Sequence, residues 1–268
     1  MKENEFNMIK ERIDNFKYTS LNYTEFGDIE NYEVVCDKED IILLYGYNTE
    51  GKKQEYHYAA NKAADLLKVM ARAEQALVTF VPSEWVEEFE QNGYKTYAVW
   101  NDYFLPELVH EEYNNEPEFL TIEDCENASE VTLSCIGQSR GFAGQTTEWM
   151  KQWTTGKAPA VPEYTKNTAA FVHRENGNIA GVICVGTYAH DSEKGAVVWV
   201  REVAVSPDYQ RRGIARELIH QALVYGKKCG AKRAFLMADE CNEHAINLYE
   251  SFGFKANKES AQIDMIKN

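Results

Sequence analysis

The sequence Val198-Trp-Val-Arg-Glu-Val-Ala-Val-Ser-Pro-Asp-Tyr-Gln-Arg-Arg-Gly-Ile-Ala-Arg216 contains the pattern that decides the fold. Its first part is apolar and β-branched, which predicts a buried strand that ends near Val205. Residues 206–208 interrupt that strand with Ser, Pro and Asp. Apolar residues then recur at helical spacing until Gly230, so a helix follows the strand; they are Ile214, Leu218, Ile219, Ala222 and Leu223.

The turn between this strand and this helix has the features of an anion site. The first amides of a helix lack partners within the helix, and the helix dipole makes that end positive. Gly213 has no side chain to block the approach of a diphosphate, and Ala215 has only a small one. Arg211 and Arg212 add positive charge. The alternative is an ordinary strand–loop–helix turn with surface arginines.

Two motifs in this half of the chain resemble those of the GNAT acetyltransferases. Gln210-Arg-Arg-Gly-Ile-Ala215 resembles the family's Q/R-x-x-G-x-G/A motif, with Ala in the last position. Asn242-x-x-Ala-x-x-Leu-Tyr-x-x-x-Gly-Phe254 resembles the helix that lies on the coenzyme A side in the family. Two ordered motifs are a stronger signal than one. The resemblance extends from about Glu118 to the C terminus.

The resemblance implies an α/β (α+β) fold, in which a mixed and mostly antiparallel central sheet is flanked by helices. We expect a degenerate GNAT-like or accessory domain at residues 1–116 and a catalytic GNAT domain at residues 117–268. The linker between them is expected at residues 105–117, which are acidic and bounded by prolines.

An internal similarity predicts that the two domains are tandem copies of one fold. Residues 84–95 align with residues 244–255 at an offset of 244 − 84 = 160, which pairs Gly93 with Gly253. Chance similarity of two helix–Gly–aromatic–Lys endings is the alternative. Phe89 occupies the position of Tyr249. The segment before the helix predicted over residues 62–75 has neither a glycine nor an arginine pair. The first domain is therefore not expected to bind coenzyme A.

Composition limits the partners and the cellular location. The net charge of −15 argues against a nucleic-acid partner, since no basic surface is available to neutralise phosphates. The six cysteines form no Cys-x-x-Cys pair and are expected to be buried free thiols, so neither a zinc site nor any other metal site is expected. The chain begins without an apolar signal core and has no run long enough to span a membrane. We therefore expect a cytoplasmic protein that does not bind a membrane.

The resemblance also implies the reaction and the cofactor. Acetyl-CoA would donate an acetyl group to a primary amine of a small molecule or peptide, which attacks directly in a ternary complex. The main chain of one strand would hold the pantetheine arm, the turn would hold the diphosphate, and the cap of the next helix would lie nearby. The expected cofactor-binding residues are Val203, Ala204, Val205, Gln210, Arg211, Arg212, Gly213, Ile214, Ala215, Arg216 and Asn242.

Two residues are candidates for proton transfer. Tyr249 matches the family's tyrosine and would protonate the sulfur of coenzyme A, although a core aromatic side chain is the alternative. Glu202 lies inside an apolar strand, where burial would raise its pKa and suit it to act as a base. An ion pair with Arg201, or an exposed strand edge, is the alternative for Glu202. His173 and His190 are the rival bases, and each adjoins a predicted turn; for His173 this is the hairpin turn predicted at Asn176-Gly177.

Two other functions stay open at the level of sequence. The chain could sense acyl-CoA without turnover, or its acidic first domain could act as a protein-interaction module. Nucleotide enzymes are disfavoured, because neither a complete G-x-G-x-x-G nor a G-K-[ST] loop is present. The sequence does not identify the acceptor, and a homodimer is left open.

Overall fold

The computed structural model describes residues 1–49, 51–70, 75–109 and 116–267, without the side chain of Lys258. The chain divides into two compact units, which differ from the predicted domains. Unit 1 comprises Met1–Trp100 and Ser260–Asn268, and unit 2 comprises Asn101–Glu259. The unit boundaries fall within two long strands, Tyr94–Leu105 and Lys255–Lys267, and not at residue 116. Residues 110–115 of the predicted linker lie outside the described residues.

The helices and strands alternate along most of the chain. The α-helices are α1 (Glu3–Lys10), α2 (Phe26–Ile29), α3 (Ala63–Met70), α4 (Val86–Gln91), α5 (Cys125–Leu133), α6 (Thr147–Thr155), α7 (Ile214–Lys228) and α8 (Glu243–Ser251). The strands are β1 (Tyr18–Thr19), β2 (Glu33–Asp37), β3 (Ile41–Asn48), β4 (Lys53–Ala60), β5 (Leu77–Val78), β6 (Tyr94–Leu105), β7 (Glu118–Phe119), β8 (Lys166–Glu175), β9 (Asn178–Tyr188), β10 (Ala196–Val205), β11 (Ala231–Asp239) and β12 (Lys255–Lys267). Short 3₁₀ helices occupy Ile13–Asn15, Leu21–Tyr23, Ser83–Trp85 and Pro207–Tyr209.

Unit 1 contains a mixed sheet in the order β2-β3-β4-β5-β12. Neighbouring strands are antiparallel except β4 and β5, which are parallel and connected through α3. The C-terminal strand completes this sheet, since Met265 pairs with Val78 and is fully buried. The predicted helix of residues 62–75 corresponds to α3, and its residues 71–74 lie outside the described part.

Unit 2 contains the strand order β6-β11-β10-β9-β8-β7. Strands β7 to β10 are antiparallel, and β10 and β11 are parallel and connected through α7. The fold class predicted from the sequence is therefore confirmed: a mixed, largely antiparallel sheet flanked by helices. Asn176 and Gly177 form the predicted tight turn between β8 and β9, with φ angles of 52° and 85°.

Helices cover both faces of the unit 2 sheet. The apolar face of α7 packs on one side of β10, where Val198, Val200 and Val205 lie in the same buried cluster. Helices α5 and α6 pack on the other side, where Ala204 and Trp199 join their cluster. The sequence pattern determines this layering, because a strand buried on both faces is apolar at nearly every position.

The cysteines and the helix lengths bear on two further predictions. All six cysteines are free, and four are buried, but Cys229 is partly exposed and Cys241 is exposed. The prediction that the cysteines are buried was therefore wrong for those two, which follow the ends of α7 and β11. Among the described helices, none combines the length and the apolar character needed to cross a membrane.

Candidate active site

A bulge and a separation of strands interrupt the unit 2 sheet at β10. The register with β9 shifts between Val200 and Glu202, so Arg201 is an extra residue. The pairing of β10 with β11 begins at Ala196 and ends where Trp199 faces Phe235. Beyond that point β10 continues to Val205 while still paired with β9. Main-chain groups along this part of β10 therefore face a gap on the β11 side.

The turn after β10 leaves a series of amides without a main-chain acceptor. Helix α7 begins at Ile214, because Gly213 is its cap residue with φ 87°. The first hydrogen bond of the helix is donated by the Glu217 amide to the Gly213 carbonyl. No carbonyl in the described part of the chain accepts a hydrogen bond from the amides of residues 211–216. A Cβ built on Gly213 would meet no atom within 4 Å.

Side chains around this turn have specific partners. The side-chain Nε2 of Gln210 donates to the Val205 carbonyl at 2.9 Å, which fixes the turn to the end of β10. Arg212 is paired with Glu175 at 2.7 Å, and Arg216 donates to Ser251 at 2.9 Å. Arg211 adopts a left-handed φ of 65° and lies 3.5 Å from the His244 ring. The buried Ile214 and partly buried Ala215 face the apolar cluster under α7, so only their amides could serve a ligand.

Glu202 lies on the part of β10 that has no pairing with β11, and it is buried, with 7% of its surface exposed. Its carboxylate accepts a hydrogen bond from the Gln145 amide at 2.9 Å. Burial raises the pKa of Glu202, while the charge of Arg201 and hydrogen bonds from Gln145 and the Val203 main chain oppose that rise. The exposed strand edge that the sequence left open is therefore excluded. The Arg201–Glu202 ion pair is not among those of the described residues.

Tyr249 lies on α8 and is also buried, with 6% of its surface exposed. Its ring contacts those of Tyr103 and Phe254 at centroid distances of 6.4 and 6.3 Å. Burial, followed by the charge of Glu202 and the proximity of Tyr103, raises the pKa of the Tyr249 phenol well above its ordinary value. Tyr249 therefore keeps its proton, and the charge of the Glu202 carboxylate contributes to this.

A comparison with known proteins identifies the family to which part of unit 2 belongs. A sequence model of the acetyltransferase (GNAT) family matches residues 142–254. Residues 142–254 belong to the GNAT family. The matched segment contains the bulge in β10, the part of β10 beyond its pairing with β11, and the start of α7, whose amides have no main-chain acceptor.

Curated relatives resemble only part of this chain. An uncharacterized N-acetyltransferase of Methanocaldococcus jannaschii is 36% identical over 86 residues, which is 32% of this chain and 38% of that protein. The spermine/spermidine N(1)-acetyltransferase of Bacillus subtilis is 33% identical over 90 residues, or 31% of this chain and 57% of that protein. The ribosomal protein bS18-alanine N-acetyltransferase of Escherichia coli is 42% identical over 52 residues, or 19% and 35%. The chain thus spans less than two thirds of each.

Solved structures share the fold over a longer range. A GNAT-family acetyltransferase from Colwellia psychrerythraea has a TM-score of 0.58 and 10% identity, covering 99% of this chain and 97% of that chain. A GCN5-related N-acetyltransferase from Sphaerobacter thermophilus has a TM-score of 0.57 and 16% identity, covering 84% and 75%. At this identity the likeness concerns the fold alone.

Asn242, the cap residue of α8 in the GNAT domain, is hydrogen-bonded to the loop that contains Ser139. The Asn242 side chain accepts a hydrogen bond from the Ala245 amide and donates to Ser139 at 3.0 Å. Asp239, fully buried, accepts hydrogen bonds from Arg140 and Cys241. Although burial raises the pKa of Asp239, these hydrogen bonds leave it lower than normal. The capping role of Asn242 is observed, whereas contact with a cofactor stays a prediction.

The sequence did not predict the ion pair that holds this loop, nor the side chain that donates a hydrogen bond to Glu202. The Arg140–Asp239 pair and the Gln145–Glu202 hydrogen bond each join residues far apart in the chain. The rival bases are engaged elsewhere: His173 lies 3.1 Å from Glu217, and His190 lies 2.8 Å from Thr187.

In unit 1, the edge of β4 that β5 leaves unpaired is occupied by another part of the same unit. In unit 1, β4 pairs with β5 only at Glu55 and Tyr56, and β3 occupies the opposite edge along the whole strand. Strand β1 pairs with β4 at Ala59 and Ala60, which places β1 on the edge that β5 leaves. The Tyr58 amide donates to the Ser20 hydroxyl and the Tyr58 phenol donates to the Phe80 carbonyl. Main-chain groups at this edge of β4 are therefore satisfied within unit 1.

Proposed function

We propose that the GNAT domain transfers an acetyl group from acetyl-CoA to a primary amine by direct attack in a ternary complex. The observation that carries this proposal is the end of β10–β11 pairing at Trp199–Phe235, beside the partner-free amides at the start of α7. An extended pantetheine arm can add to such an unpaired strand as a further strand would. The diphosphate would accept hydrogen bonds from the amides of residues 211–216, which carry the positive end of the helix dipole.

The arginines would contribute unequally to cofactor binding. Arg211 has no carboxylate partner among the described ion pairs, so it is available to a phosphate. Arg212 would have to leave Glu175 to do the same, since their side chains are 2.7 Å apart. Ala204 and Val205 would act through main-chain groups, while Gln210 would hold the turn against the Val205 carbonyl. Asn242 would place the start of α8 beside the cofactor.

Each proton and bond in the transfer has a proposed destination. The amine nitrogen attacks the thioester carbonyl carbon. The oxygen of that carbonyl would be polarised by the main-chain amide of Val203, which would have to give up its hydrogen bond to Glu202. The attacking nitrogen loses a proton to Glu202, directly or through one water, since burial makes this carboxylate a stronger base than usual. The C–S bond then breaks, and the departing sulfur takes the proton of the Tyr249 phenol, which burial keeps protonated.

Unit 1 is proposed to be a non-catalytic copy of the same fold. Both units contain parallel strands joined through a helix, β4–α3–β5 and β10–α7–β11, followed by a second helix and a long strand. This common order supports the internal repeat predicted from the sequence. Strand β1 fills the edge that an acyl-CoA arm would need, which supports the expectation that unit 1 does not bind coenzyme A.

The acceptor class is proposed only as a primary amine. The names of two relatives mention spermine/spermidine and an alanine of ribosomal protein bS18, so both small amines and protein amines are candidate acceptors. A non-catalytic acyl-CoA sensor is the alternative function.

The experiment measures cofactor binding and turnover separately. Calorimetry with coenzyme A tests the binding site, and thiol release from acetyl-CoA in the presence of polyamines, amino acids and peptides tests the reaction. We expect binding of one coenzyme A per chain and amine-dependent thiol release. Binding without turnover would favour the sensor, and absence of both would contradict the proposed function.

A further inference from the structure

The bulge in β10 places two opposite charges on the same face of the strand. Val198 and Val200 pack in the cluster under α7, and after the bulge Val203 and Val205 do so. Trp199 and Ala204 pack in the cluster under α5 and α6. Side chains alternate between faces along a strand, so the extra residue puts both Arg201 and Glu202 on the α5–α6 face. Their observed neighbours agree, since Arg201 contacts Trp149 and Glu202 contacts Gln145.

Arg201 has an unusual environment for a partly buried guanidinium. Its charge lies 5.5 Å from the ring centroids of both Trp149 and Trp199. Within the part of the chain that the structure describes, every other arginine has a hydrogen-bond partner. None is found for Arg201 there, and no carboxylate lies within ion-pair distance of it. A guanidinium in this position retains its capacity for a bidentate hydrogen bond to an anion.

The aromatic wall holds Arg201 in place. Trp149 stacks on Trp153 at 5.2 Å with an angle of 12° between the rings, and Trp153 meets Trp199 edge-on at 5.9 Å. Trp153 is fully buried, and its indole N–H donates to the Ala169 carbonyl at 3.1 Å. Because this wall is fixed, the guanidinium on it loses little conformational freedom when it binds a ligand.

The phosphates of coenzyme A are not the anion that suits this arginine. The proposed diphosphate site is at the start of α7, which packs on the opposite face of β10. Arg201 instead directly precedes Glu202 in the sequence, and Glu202 is the proposed base for the acceptor amine. A single small molecule with a primary amine and a carboxylate would match both charges.

We propose that the acceptor is an amine that also carries a carboxylate, with an α-amino acid as its smallest form, and that Arg201 binds this carboxylate. The inference rests on the function proposed above, because it assigns the acceptor for that same reaction. Trp149 and Trp199 position the guanidinium, and Glu202 receives the proton of the amine. The net charge of −15 alone would have favoured a polycationic acceptor, which this arrangement disfavours at the site itself.

The first experiment compares matched acceptors that differ only at the carboxylate. Lysine, lysinamide and cadaverine form one set; tyrosine, tyrosinamide and tyramine form another; leucine, leucinamide and isopentylamine form a third. Because a charged bidentate hydrogen bond is lost, kcat/KM should fall on the order of ten- to a hundredfold from the acid to the amide and amine. Equal or higher values for the amides and amines in all three sets, or a preference for spermine, would overturn the proposal.

Variants assign the preference to Arg201. Arg201→Gln should remove most of the discrimination, mainly through KM, and Arg201→Lys should keep part of it because the charge remains without the planar fork. Lys194→Gln removes one positive charge from an exposed loop and serves as the control, which should discriminate as the parent protein does. Thermal unfolding verifies that each variant is folded. If Arg201→Gln does not fold, the comparison between Arg201→Lys and the parent protein tests the proposal.

A binding measurement separates this inference from the proposed function. Calorimetric titration of the three amino acids into the protein saturated with coenzyme A requires no turnover. Binding of at least one amino acid that Arg201→Gln weakens about tenfold, without thiol release from acetyl-CoA, would support the carboxylate site and contradict the transferase. Thiol release with no difference between Arg201→Gln and Lys194→Gln would support the transferase and overturn the carboxylate site.

Discussion

The Gln145 side-chain amide donates a hydrogen bond to the Glu202 carboxylate across 2.9 Å, and both groups are buried. Gln145 is itself held by its main chain, whose carbonyl accepts from Ser129 and whose amide donates to Thr132. The loop before α6 therefore favours the ionised form of a residue on β10, 57 positions later in the chain, against the larger effect of burial.

This hydrogen bond predicts a shift in the pH profile. Gln145 favours the ionised form of Glu202, so Gln145→Leu should raise the pKa of Glu202 further above its ordinary value. If Glu202 must be ionised to accept the amine proton, the acidic limb of the kcat/KM profile moves to higher pH. Gln221→Leu, which removes a similarly buried glutamine on α7, is the control. An unchanged acidic limb in Gln145→Leu would exclude Glu202 as the base.

Gly213 offers a test of the anion site with a matched control. Gly213 and Gly177 have φ angles of 87° and 85°, and a Cβ on either would meet no atom within 4 Å. Alanine at either position should therefore reduce the free energy of unfolding by a similar amount, about 1–2 kcal/mol. Only Gly213→Ala should also weaken coenzyme A binding, about tenfold or more, because only its Cβ would point into the proposed diphosphate site.

Calorimetry with coenzyme A and chemical denaturation measure these two effects independently. Equal affinity for coenzyme A in Gly213→Ala and Gly177→Ala would contradict a diphosphate at the start of α7.

Tyr249→Phe isolates the phenol proposed to protonate the sulfur. Removing a general acid lowers kcat by about 100-fold or more, while the packing against Tyr103 and Phe254 is retained. Coenzyme A affinity should be nearly unchanged, because the hydroxyl is expected to act on the leaving thiolate. Tyr225→Phe on α7, whose ring packs against Phe171, is the control for loss of a phenol elsewhere in unit 2. Wild-type kcat in Tyr249→Phe would leave Tyr249 with only a packing role.

Asp264 predicts a pH-dependent stability of unit 1. It is buried on β12 and accepts a hydrogen bond from the Phe80 amide at 3.2 Å. Burial raises its pKa to about 6, with hydrogen bonds from Gln262 and Phe80 opposing the rise; the charge of Glu55 adds to it and that of His57 opposes it. The unfolded value is about 3.9. Because the folded pKa is the higher one, Asp264 contributes stability at low pH that is lost as the pH rises from about 4 through about 6.

Asp264→Asn removes this titration. Relative to the parent protein, the variant should gain about 2 kcal/mol in free energy of unfolding between pH 4 and pH 7. Urea denaturation at several pH values measures the gain, and Asp40→Asn, at an exposed carboxylate of the same unit, is the control. A constant difference between Asp264→Asn and the parent across this range would refute the buried, raised-pKa state.

Local patterns in the sequence were sufficient for the elements that surround the candidate site. The strand predicted to end near Val205 is β10, which ends at Val205, and the helix predicted to run until Gly230 is α7, which ends at Lys228. The pattern worked there because an apolar β-branched strand and an amphipathic helix ended by glycine each bury one continuous surface. Strand β5 spans only Leu77–Val78 of the apolar segment 76–81, since pairing partners decide where a ladder ends.

The sequence by itself determined which residues form the strand, turn and helix of the GNAT domain, because periodicity and glycine placement act over neighbouring residues. Only the tertiary structure decided that Gln145 meets Glu202, that Arg140 meets Asp239 and that Arg201 lies on two indoles. It also decided that β1 fills the edge of β4 in unit 1. These relationships join residues that are distant in the chain, and they depend on strand register, where a shift of one residue moves every side chain to the other face.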